Sequence, residues 1–180
     1  KQRSIDVAYA AVGDNQLDAQ AIQSAIAFEK TACFGRCPAF KFVWNTDNSV
    51  SLKLTRPFQE GPLSSLQLGE FRASLHPSRA KQYAEAINSA AELCHYSSLD
   101  DEYDNPRVTD LPATITVING KQVKARYGGP DLNTLYSAIQ TILDETEWVA
   151  TEWKPNWTHE KNNHLSPDHR NDASRIDNTS

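Results

Sequence analysis

Apolar and polar positions alternate with a period of two from Ile22, where Ile22, Ser24, Ile26 and Phe28 predict a half-buried strand. Phe40, Phe42 and Trp44 repeat the alternation, and Val50, Leu52 and Leu54 continue it. Asp47-Asn48 between them tolerate positive φ, so residues 39–55 predict a β-hairpin. A weaker strand is expected from Leu66 to Phe71. Pro77 then opens a helix whose Ala80, Tyr83, Ala84, Ile87, Ala91 and Cys94 fall on one face. Ile115 and Val117, the dipeptide Asn119-Gly120, and Val123, Ala125 and Tyr127 predict a second hairpin. Leu132, Leu135, Ile139, Ile142 and Leu143 form the stripe of a last helix.

The predicted order is β-β-β-(β)-α-β-β-α. This is an α+β fold in which an antiparallel sheet of two hairpins plus an extra strand is covered on one face by two helices. The expected division is an N-terminal arm (1–21), one α+β domain (22–148) and a mostly disordered polar tail (149–180). From Thr151 onward only Leu165 and Ile176 come from Leu, Ile, Val and Phe, too few to offset the entropy of ordering. Trp148 to Trp157 carries three Trp and is able to dock back on the domain. Asn156-Trp157-Thr158 matches a glycosylation acceptor, and His159, His164 and His169 are spaced irregularly for a metal. A short helix over Asp18 to Ser24 and a loose arm are equally compatible with the start of the chain.

Composition narrows the class. A net charge of -5 and a pI near 5.5 speak against nucleic acid as a partner. No apolar run is long enough to span a membrane. The chain begins at Lys1 and contains no Met, which fits an exported, processed protein and also a sequence trimmed at its start.

The sharpest local feature is Lys30-Thr31-Ala32-Cys33-Phe34-Gly35-Arg36-Cys37-Pro38-Ala39-Phe40. Two Cys around a Gly, closed by Pro38, describe a loop tight enough to bring the two Cα atoms within the roughly 4.4–6.8 Å of a disulfide. The expectation is a Cys33–Cys37 disulfide in an oxidising compartment, with Gly35 and Pro38 shaping the loop. Three alternatives stay open. Thiol exchange usually has two residues between the Cys and a helix after them, whereas here there are three and a strand. Zinc would need Cys94 and His95 as further ligands. A nucleophilic Cys37 beside Arg36 would still need a base.

These residues resemble a bacterial family of domains of unknown function, DUF6438, marked by a Cys-Phe-Gly-x-Cys-Pro-x-aromatic turn. The likeness continues through Val50-Ser51-Leu52, Gly69-Glu70-Phe71, Leu99 to Tyr103, Val108-Thr109-Asp110-Leu111-Pro112, and Tyr127 with Pro130, covering about Ile26 to Leu143. Phe40 stands where Tyr is usual, and Asp47-Asn48 replaces the commoner Asp-Gly. The resemblance implies a small envelope or lipoprotein-type domain and carries no activity with it.

Ser97 to Pro112 holds Asp100, Asp101, Glu102, Asp104 and Asp110 against Arg107 alone. The stretch lacks the rhythm of a calcium loop. The plainer expectation has Tyr103, Val108 and Leu111 anchoring it, carboxylates pairing with Lys30 and Arg36, and Asp110 accepting N–H groups in a turn. The reading is therefore a non-enzymatic binding module of the periplasm, cell envelope or secreted space. It leaves enzymatic activity undecided, leaning to none, and calls for no cofactor, no metal and no nucleic acid. The expected partner is a protein or small ligand of the envelope, the expected state a monomer. A lipid anchor outside these residues and a cytoplasmic location both remain compatible. A thiol redox enzyme using Cys33 and Cys37, and a metal module using residues 100–110, are the competing readings.

Overall fold

A computed structural model describes residues 21–151 of the chain. Strand β1 (Ile26–Lys30) is followed by β2 (Ala39–Trp44) and β3 (Ser49–Arg56), then a 3-10 turn at Pro62–Ser65 and β4 (Gly69–Ser74). Helix α1 (Pro77–Leu93) leads through a second 3-10 turn into β5 (Glu102–Tyr103). β6 (Thr114–Ile118), β7 (Lys121–Ala125), helix α2 (Asn133–Glu145) and β8 (Val149–Ala150) complete the order. The fold is α+β, a mostly antiparallel sheet in the order β5-β7-β6-β1-β2-β3-β4-β8.

Both predicted hairpins form for the reasons their turns supply. Asn48 takes φ 62°, and the Asp47 carboxylate accepts from Ser49 N at 2.9 Å and from its hydroxyl at 2.6 Å. Asn119 and Gly120 take φ 51° and 79°, the two positive angles of a tight turn that follows the strand twist. His76 caps α1 by accepting from Ser78 N at 3.3 Å.

Three details depart from the sequence pattern. The first strand starts at Ile26, not Ile22, because Ile26 already faces Trp44 at the end of β2 and no ladder partner remains beyond it. Ile22 is nevertheless buried. The weak strand lies at Gly69–Ser74, shifted by the pairing of Gly69 with Leu54. Two short strands, unseen in the pattern, cap the sheet: β5 runs parallel to β7, and β8 pairs with β4. Strands of two residues leave little open edge for foreign pairing.

The core lies between the helices and one sheet face. Phe28, Phe42, Trp44, Leu52 and Ile118 pack from the strands against Ile87 of α1 and Leu135, Ile139 and Ile142 of α2. Burying each such side chain contributes roughly 1.5–3 kcal/mol. Trp148 stands edge-on to Phe42 at 6.2 Å and donates to Leu143 O at 2.9 Å. Trp148 thus packs on the domain, while Trp153 and Trp157, with the rest of 152–180 and residues 1–20, lie outside the described residues. Residues 21–24, the end of the alternative N-terminal helix, are not helical.

The buried polar join is at Tyr96. Its hydroxyl sits 2.8 Å from Thr116 Oγ1 and donates toward the Thr116 and Lys121 carbonyls at 3.0 and 3.2 Å. Burial pushes this phenol up to about 12. The bonds tie the end of α1 to the β6–β7 hairpin.

Candidate functional site

Lys30 ends β1 and Ala39 begins β2, so the cysteine segment must turn back at one end of the sheet. Cys33 and Cys37 lie there at disulfide distance, Cα atoms 5.7 Å and sulfurs 2.04 Å apart. Pro38 ends the turn as the chain enters β2. Gly35 N points to Cys33 Sγ at 3.2 Å. Arg56, from the end of β3, donates one guanidinium nitrogen to Cys33 O at 2.7 Å and Gly35 O at 3.1 Å. The backbone is thereby held from two sides. With only three residues between the Cys, the loop has no room to fold a side chain inward, and Phe34 stands 95% exposed at its tip.

The downstream Val108–Pro112 segment meets this loop. Phe34 N donates to Asp110 O at 3.4 Å, and Thr31 N to Ala113 O at 2.9 Å. Ala113 N returns a bond to Thr31 Oγ1 at 2.8 Å. Asp110 thus contributes its backbone carbonyl, not the side-chain turn cap expected of it. Leu111 is 42% exposed instead of anchoring its loop. The two segments therefore bring Phe34 and Leu111, both large and apolar, to the same end of the sheet, with Arg36 beside them.

The acidic loop is built differently. Its carboxylates do not reach Lys30 or Arg36, because β5 adds alongside β7 and faces that strand's cations instead. Asp101 pairs with Lys121 at 3.0 Å, and Glu102 with Lys124 at 2.7 Å. Asp104 lies 3.8 Å from Lys124 and 3.6 Å from Arg126. Asp100 N donates to the Tyr103 hydroxyl at 2.9 Å. Tyr103 O accepts from Arg126 N at 2.8 Å, and Gly129 passes so close beneath Tyr103 that a Cβ there would come within 2.9 Å of Cγ. Tyr103 is half-buried against the core and anchors the loop, whereas Val108 is half-buried without packing on the core. Among the described residues no group of three or more His, Cys, Asp and Glu is arranged to hold a metal ion.

Cys94 and His95 lie at the far end of α1, beside the β6–β7 turn, so the structure does not bring them to the Cys33–Cys37 loop. Burial pushes the Cys94 thiol up, and it donates to Ala91 O at 3.4 Å. His95 adopts a left-handed conformation, φ 52°, on the rim of a half-open cleft of about 660 Å³ that also includes Glu92, Ile118 and Lys121.

Sequence reasoning singled out the two Cys, Gly35 and Pro38, passed over Phe34 and Arg56, and read Leu111 as an anchor. The signal for Phe34 was present: an aromatic residue inside a three-residue Cys-bounded loop cannot reach a core. Arg56 and Leu111 gave none, because their roles arise only where separate segments meet. The family model for the domain of unknown function DUF6438 matches residues 24–143. No curated protein matches the chain.

Proposed function

Because the chain belongs to the DUF6438 family, a domain with no assigned activity, we propose that it is a non-enzymatic binding module whose docking element is the Cys33–Cys37 loop. One observation carries this reading: Phe34 is almost fully exposed on a loop held by a cysteine pair and by Arg56. A ring left in water contributes no burial energy to the fold. On a preorganised loop it serves as a binding anchor that pays little ordering entropy on association. Leu111, exposed on the segment that bonds Phe34 N, widens the apolar patch, and the exposed Arg36 adds a cation beside Phe34. The composition suits a protein partner with an apolar pocket edged by carboxylates. The loop chemistry also favours an oxidising compartment outside the cytoplasm.

A photo-crosslinking residue at position 34, compared with one at the exposed Lys81 of α1, tests the reading in cells. A discrete crosslinked protein at 34 alone, lost with Leu111→Ala, is the expected result. Identical patterns from both positions would sink it. The compartment is tested separately by alkylation and intact mass of protein from its native source. Three reactive thiols would exclude the oxidised pair, while one leaves only Cys94 free. Thiol-exchange chemistry is the second reading, and turnover lost in Cys37→Ser with the fold retained would favour it.

A further inference from the structure

The helices cover one face of the sheet, and two registered rows of side chains point away from them. The first row runs Lys124, Ile115, Glu29, Lys41, Lys53, Glu70 from β7 through β6, β1, β2 and β3 to β4. The second runs Gln122, Val117, Ala27, Val43, Ser51, Arg72 in the same strand order. Lys41, Lys53, Glu70 and Arg72 are exposed, whereas Ala27, Val43, Ile115 and Val117 are half-buried and adjacent. The face is thus an apolar centre with charges of both signs on a protein of net charge -5.

The order of charges is the informative part. Read from either end, the first row places opposite or neutral partners against itself. The midpoint of the reversal falls between β1 and β2, which is also the middle of the eight-strand order. A second copy turned about a two-fold axis parallel to the strands would set Glu29 against Lys41 and Lys41 against Glu29 at the centre, while at the rim Lys124, already paired with Glu102, would meet Glu70, already paired with Lys53. Ile115 would meet the aliphatic stem of Lys53. In the second row Ala27 would meet Val43, Val117 would meet Ser51, and Arg72 would meet Gln122. No like charges face each other anywhere in the two rows.

We propose that the open sheet face is a homodimer interface with this two-fold axis, departing from the monomer expected of the sequence. Packed sheets cross at about 30°, so register is best kept at the centre, where Glu29–Lys41 and Ala27–Val43 lie. Strand spacing near 4.8 Å and rise near 3.4 Å give a footprint of roughly 600 Å² per copy. That is below the roughly 800 Å² of a standard interface, so the dimer is weak and salt-sensitive. The axis leaves both Phe34 loops at the same end of the pair. If the loop is the docking element proposed above, the dimer binds bivalently. The dimer itself does not depend on that reading.

Sedimentation velocity of the full chain, up to about 200 µM in low and high salt, is the test. A concentration-dependent dimer that loosens in salt is expected. Lys41→Glu and Glu29→Lys each place like charges at both central contacts and should weaken it at least about tenfold. Mixing the two variants pairs opposite charges again and should restore a heterodimer, and the double swap in one chain should restore the homodimer. A monomer under all conditions overturns the proposal, whatever else covers the face. So do single variants that dimerise like the parent, or a mixture that associates no better than its components.

Discussion

The Cys33–Cys37 loop and the acidic loop are the two chemically unusual segments of the chain, and folding treats them in opposite ways. The acidic loop carries five carboxylates, but β5 lays it beside β7. There Lys121, Lys124 and Arg126 take up Asp101, Glu102 and Asp104. Three of its five carboxylates are thus paired within the molecule. The cysteine loop carries less charge, yet its backbone is fixed by the cysteine pair and Arg56 while its most apolar side chain is left outside. A concentration of reactive residue types is therefore a weaker guide to a binding site than a side chain that the fold declines to satisfy.

The largest test of this contrast is alkaline pH. Tyr96 holds the end of α1 to β6 and β7, the framework on which the acidic loop rests. Its burial raises the phenol from 10.0 to about 12. An unfolded chain ionises it near the ordinary value, so this contribution is whole below pH 10 and is lost as pH rises through about 12. Tyr136, pushed up to about 12 by its own burial, adds to the same loss, so circular dichroism should show stability falling in that window. A fold unchanged well above it would remove Tyr96 as the lock. Next in size, Gly129→Leu should force Tyr103 and β5 off β7 and lower stability by about 3 kcal/mol in urea unfolding. Unchanged stability would mean that the contact beneath Tyr103 relaxes freely.

Reducing Cys33–Cys37 should cost about 2 kcal/mol, small because the closed loop is short. Amide exchange should quicken at Phe34 and Gly35 while the β7 amides keep their protection. Equal quickening at both places would erase the distinction between the loops. The smallest effect is expected for Phe34→Ala, less than about 0.5 kcal/mol of stability, because the ring buries nothing in the monomer. A thermal shift of several degrees would show that Phe34 is a structural residue instead of an anchor.

Local signals were legible where the cause is local. Asp47-Asn48 and Asn119-Gly120 turn the hairpins because their backbones accept positive φ, and the 3.6-residue stripes of α1 and α2 mark faces that must be buried. The start of β1 was misread because alternation continues to Ile22, although the neighbouring strands do not. β5 and β8 were invisible because two residues carry no period. Within the site, the paired Cys, Gly35 and Pro38 could be read directly, but the ion-pair partners of Asp101 and Glu102 could not. A carboxylate in sequence does not reveal which strand will lie beside it.

The amino-acid sequence by itself determined the two hairpins, the two helices and their order, the two-layer class and the closed geometry of the cysteine turn, all consequences of periodicity and of contacts within a few residues. Only the tertiary structure decided that cations on and just after β7 would pair Asp101, Glu102 and Asp104 of the acidic loop, that Arg56 would brace the cysteine loop from about twenty residues away, and that Phe34 and Leu111 would share one exposed end. Those outcomes depend on strand order and register. These are set by how the whole hydrophobic face is buried, not by any segment that takes part.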